Sequence, residues 1–97
     1  MKTTKIVRPP ESKALKSGRV VLCKGEEIGE HVTTDKEELI IVIKGKATLM
    51  HGHDTFELKQ GETHFIKEGV AHNVINYYDD ELEYIYVVSL FKADQEH

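Results

Sequence analysis

The chain has 97 residues, 39% hydrophobic and 31% charged, with a formal net charge of −4; that is enough for one small domain and too little for two cores. Aliphatic runs such as Leu39-Ile40-Ile41-Val42-Ile43 argue against disorder, and the longest apolar stretch, residues 84–91 with one serine, is far too short to span a bilayer. A single cysteine, Cys23, excludes an internal disulfide, and the basic residues 1–10 lead into no apolar leader segment, so an intracellular, cytoplasmic protein is expected.

The charge is unevenly spread. Residues 1–24 carry seven Lys/Arg against one acid, a net +6, and residues 25–97 carry a net −10. A body this acidic repels a phosphate backbone, so nucleic acid is not expected as a partner. The basic arm suits an acidic protein surface such as that of a second subunit, or simply solvent.

Along the chain, residues 3–7 are β-prone, and Pro9-Pro10 separates them from the rest. Residues 12–16 allow one helical turn at most. Residues 19–24 read as a strand, 39–44 as a β-branched strand, and Gly45 as a turn into 47–51. Gly52 marks a hairpin tip, with a return over 55–58. A turn at 59–61 leads to a strand over 63–66. Two more follow, over 71–76 and 83–91, divided by Asp79-Asp80. Seven or more short strands without helical periodicity predict an all-β antiparallel sandwich or barrel. Period-2 alternation puts Glu38 on one face with Ile40 and Val42, and Leu39 and Ile41 on the other. A carboxylate in register with an apolar face calls for a partner.

Two glycine-bounded blocks carry the functional signal. The first has Gly25, five residues, His31, one residue, Thr33, four residues, Glu38, six residues and Gly45. The second has Gly61, five residues, Lys67, one residue, Gly69, two residues, His72, three residues and Asn76. Together these resemble the two motifs of the cupin family, G-x5-H-x-H-x(3 or 4)-E-x6-G and G-x5-P-x-G-x2-H-x3-N. The resemblance covers about residues 19–91 and implies a double-stranded β-helix, or jelly-roll barrel. It divides the chain into an N-terminal arm (1–18) with a short strand at a dimer interface, the barrel (19–91) and a C-terminal tail (92–97). Lys67 replaces the usual proline, a turn residue, and Thr33 replaces the family's second histidine.

The family commonly binds a divalent transition metal through three histidines and one glutamate. Carried over, the resemblance implies His31, Glu38 and His72 as ligands here. Two imidazoles and one carboxylate suit non-haem iron with open positions and also accept Mn, Co, Ni or Zn. Thr33 shares the face of His31 and is placed to hydrogen-bond a metal-bound water. The alternative is a metal-free barrel in which the three side chains hydrogen-bond one another. Glu37 also fits the family spacing, but alternation favours Glu38.

Other residues are read by position. His51-Gly52-His53 falls at a hairpin tip, where exposed turn residues are expected. His64 is a substitute ligand, a cavity acid/base or a surface strand residue, the last slightly favoured. Asn76, on the face of His72, matches a position the family uses structurally. Tyr84 and Tyr86 share one face of the last strand, where sheet packing or a dimer surface is favoured over a cavity role. Cys23 is either a cavity thiol or an inert small hydrophobe, and the latter is favoured. The expected function is metal-dependent chemistry on a small molecule, oxygenase- or isomerase-like, in a homodimer. The alternative is a non-catalytic ligand-binding or structural module.

Overall fold

The computed structural model describes residues 1–90; the expected strand end at Phe91, the tail 92–97 and His97 lie outside the described residues. Eight strands follow in order: β1 (Lys2–Val7), β2 (Leu15–Leu22), β3 (Lys36–Lys44), β4 (Lys46–His51), β5 (Asp54–Lys59), β6 (Thr63–Ile66), β7 (His72–Ile75) and β8 (Leu82–Leu90). They form a five-stranded sheet in the order β1-β2-β8-β3-β6 and a three-stranded sheet in the order β5-β4-β7. Every strand pairing is antiparallel. The architecture is an all-β jelly-roll barrel, with no helix among the described residues.

The core lies between the two sheets and follows the alternation of each strand. Val20 and Leu22 of β2, Ile40 and Val42 of β3, Ala47 and Leu49 of β4, Ile66, Val74, Leu82 and Tyr84 are all buried. Burying these aliphatic faces against one another supplies the main driving force for closing the barrel.

Two strands start earlier than the sequence pattern implies. β2 begins at Leu15, because residues 15–22 pair along their whole length with β8. The expected helical turn at 12–16 is replaced by turn and bend backbone through residue 14. β3 begins at Lys36, where the polar run Lys36-Glu37-Glu38 hides the strand signal but pairs with Leu90, Ser89 and Val88 of β8. Cross-strand pairing overrode local propensity in both places. Residues 2–7, read as part of a separate arm, form β1 and lie antiparallel on β2 at the edge of the large sheet.

Gly45 shows why the first block must end in glycine. Its φ is +82°, and a Cβ there would lie 2.5 Å from the Glu81 carbonyl oxygen. Both the left-handed conformation and the close approach of the β7–β8 connection exclude a side chain.

Candidate metal centre

Residues 25–31 run alongside β7 as an irregular strand. Ile28 N–H donates to the Val74 carbonyl at 3.0 Å, and His31 and His72 exchange both backbone hydrogen bonds at 3.0 Å. That pairing sets the two imidazoles side by side, with ring centroids 4.1 Å apart at an interplanar angle of 65°. Glu38 reaches the same point from β3 in the opposite sheet. Its Oε1 lies 3.2 Å from His72 Nε2 and 4.0 Å from His31 Nε2. One ligand atom of each residue lies within 4.8 Å of the others. Glu38 and His72 are buried and His31 is partly open to solvent. Glu37 is exposed on the other face, as alternation requires.

The backbone fixes which nitrogen each imidazole presents. His72 Nδ1 is 2.8 Å from the Val70 carbonyl, and His31 Nδ1 is 3.0 Å from the Gly29 carbonyl. A carbonyl oxygen only accepts, so both Nδ1 atoms carry hydrogen and both Nε2 atoms face the carboxylate. A deprotonated Nε2 opposite a carboxylate is repulsive unless a proton or a cation lies between. Burial alone lowers the His72 pKa, but the hydrogen bonds to Glu38 and Val70 and the Glu38 charge outweigh it and raise the pKa above the ordinary value. A proton in this position is what a metal ion replaces. The donor chemistry fits a divalent transition ion: two atoms each about 2.1 Å from one ion stand about 3.0–3.4 Å apart. The His72–Glu38 separation of 3.2 Å already meets this, whereas His31 Nε2, 4.0 Å from Glu38 Oε1, has to move closer by roughly 0.6 Å.

A cavity of about 570 Å³ opens onto this centre, lined in part by Val20, Val74, Val88, Thr33, Tyr84 and Tyr86. Thr33 Oγ1 is buried on its wall without a hydrogen-bond partner. The tyrosines differ from expectation: both point inward onto the cavity rather than only packing on the sheet. Tyr86 fits because Gly18 lies directly across from it on β2; a Cβ at Gly18 would fall 2.6 Å from the Tyr86 hydroxyl. The glycine in an otherwise ordinary strand was the available clue. Burial, then the Glu38 charge and Tyr86, hold the Tyr84 phenol protonated, with its pKa well above the ordinary tyrosine value.

The remaining residues lie elsewhere. Asn76 is fully buried, donating to the Leu22 and Asp80 carbonyls at 2.9 Å each and accepting from Tyr78 N–H. It ties the β7–β8 connection to β2 and does not line the cavity. His64 also lies off the cavity wall; its Nε2 is 2.8 Å from Nδ1 of His51, across the seam between the sheets. His51 is thus half-buried at the end of β4 rather than an exposed turn residue, whereas His53 is exposed in the turn. Cys23 is exposed and off the cavity. Asn73 was not singled out from the sequence. It is buried, accepts from Gly29 N–H at 2.9 Å and donates to Glu27 at 2.7 Å, and so holds the segment that carries His31.

Residues 18–88 match the profile of the cupin domain. The chain belongs to the cupin family. Solved structures agree on the fold. A protein from Thermus thermophilus superposes with a TM-score of 0.85 at 18% identity, over 93% of this chain and 83% of its own. A predicted oxalate decarboxylase from Thermotoga maritima gives 0.85 at 21% identity, over 92% and 79%. A cupin 2 conserved barrel domain protein from Salinispora arenicola gives 0.81 at 20% identity, over 96% and 76%. Among curated proteins no relative matches.

Proposed function

We propose that this cupin binds one divalent transition metal through His31, Glu38 and His72 and acts on a small molecule held in the adjoining cavity. The observation that carries the reading is the shared wiring of the two histidines: each Nδ1 is tied to the carbonyl two residues earlier, and each Nε2 is turned to one carboxylate. When bound, such an ion supplies Lewis acidity or, for a redox-active metal, oxygen chemistry. The chain supplies the rest. Val20, Val74 and Val88 give the cavity apolar walls that exclude water from one side of the centre. The protonated Tyr84 phenol and the Tyr86 hydroxyl offer hydrogen bonds to a polar ligand. His64 is off the wall, so the acid/base candidate expected from the sequence is absent there, and Tyr84, held protonated, acts as a hydrogen-bond donor and not as a base.

The test is metal titration and elemental analysis of protein prepared without a histidine tag. About one equivalent of a divalent transition ion is expected. Less than about a tenth of an equivalent, with none taken up on titration, rejects the reading. A second reading, a non-catalytic ligand-binding cupin, is favoured by Thr33, which offers only a neutral hydroxyl where the family motif has a histidine.

We also propose a homodimer through the large sheet. Its outer face presents Leu15, Ile43 and Phe65 at 42%, 39% and 53% exposure, and β1 lies exposed along its edge. Light scattering at micromolar concentration is expected to give the dimer mass; a monomer peak contradicts it.

A further inference from the structure

The cavity wall carries an arrangement of charge that the metal centre does not explain. Lys16 of β2 and Lys36 of β3 are half-buried and both line the cavity. Register places one across the sheet from Glu38 and the other along its strand. Lys16 pairs with Val88, which pairs with Glu38, so Lys16 lies two strands away on the same face, about 10 Å across the sheet. Lys36 precedes Glu38 by two residues on the same face of β3, about 7 Å along the strand.

The usual alternation is inverted at the start of β2: Leu15 points outward and is exposed, and Lys16 points inward. An inward lysine on a strand is costly to desolvate unless an anion or water meets it. Among the described residues, neither Lys16 nor Lys36 forms an ion pair with a carboxylate. Glu38, the one carboxylate on the cavity wall among the described residues, is engaged with His72. The buried Thr33 hydroxyl, on the same wall, has an unmet hydrogen bond. A cavity bearing two ammonium groups without a carboxylate partner among the described residues, in a chain of net charge −4, is a local reversal of sign, and low-dielectric walls concentrate its field.

We infer that Lys16 and Lys36 form an anion subsite, and that the small molecule this cavity takes is an organic acid whose carboxylate they bind, with Thr33 as an additional hydrogen-bond partner. The inference rests on the cavity being the substrate site, as proposed above. A lysine is a mobile point charge, so the pair selects for negative charge more than for the shape of one acid.

The test uses glutarate as probe and its uncharged diamide as control, by calorimetry at low salt on the full chain, both metal-free and after addition of Co²⁺. Glutarate is expected to bind at least about tenfold more tightly than the diamide. Lys16→Met and Lys36→Met are each expected to weaken glutarate about fivefold or more and leave Co²⁺ stoichiometry unchanged, while Lys16→Arg and Lys36→Arg keep most of the affinity. Equal binding of acid and diamide, no binding of either, or glutarate affinity indifferent to both methionine variants overturns the inference. If Co²⁺ is not taken up but the lysine-dependent preference holds in metal-free protein, the metal reading fails and the anion subsite stands. If Co²⁺ binds and the preference is missing, the subsite fails and the metal reading stands.

Discussion

The barrel holds two pairs of imidazoles that differ in what their nitrogens face. His72 and His51 are cross-strand partners on β7 and β4 in the same ladder. His72 joins His31, and each uses Nδ1 on a backbone carbonyl and turns Nε2 to Glu38. His51 joins His64, and there one nitrogen of each ring meets the other, 2.8 Å apart, with no carboxylate partner among the described residues. Phe56 packs against His64 at 4.7 Å between centroids. The comparison shows that histidine count does not make a ligand set. What matters is whether the second nitrogen is held elsewhere and whether a negative charge gathers the free ones.

The largest expected effect falls on the first pair. His72→Ala should cost more than about 100-fold in metal affinity, whereas His51→Ala, His64→Ala and the turn variant His53→Ala should leave it within about twofold on the same titration. Equal losses at His72 and His64 would erase the distinction between the pairs. Next comes the support beneath His31: Asn73→Ala frees Gly29 N–H and Glu27, and should weaken metal binding about tenfold with the fold intact by circular dichroism. Thr33→His should act in the opposite direction, tightening binding about tenfold by restoring the family's fourth ligand. Weaker binding would show that the pocket has been rebuilt around threonine.

The smallest effect concerns the second pair and pH. Burial, then the His51 charge, holds the His64 pKa below 6.5. The unfolded chain therefore takes up this proton more readily, so stability is full above about pH 6.5 and falls as pH drops toward and through the folded value. Replacing His64 with Gln should flatten that dependence, a change on the order of 1–3 °C in Tm at pH 5.5 relative to pH 7.5.

Much of this was legible before the fold was seen. Period-2 alternation placed Glu38 inward and Glu37 outward, because a strand has only two faces. Motif spacing brought His31 and His72 into one reading, and the structure sets them side by side. What stayed hidden depends on neighbours far along the chain. Asn73 looks like any strand asparagine until residues 27–29 fold over it. Tyr86 reaches the cavity because Gly18, 68 positions earlier, yields its space. His51 reads as a turn residue until β6 brings His64 against it. Lys16 looked like part of a basic arm because the pairing that turns it inward lies on β8.

The central claim is that His31 and His72 present Nε2 to a shared ion while His51 and His64 do not. Long-range ¹⁵N–¹H spectra of the imidazole rings, recorded during Zn²⁺ titration, test it directly. Nδ1–H tautomers are expected for His31 and His72, with the Nε2 signals of these two alone moving up to one equivalent. Nε2 signals that stay fixed, or movement at His51 and His64 instead, would contradict it.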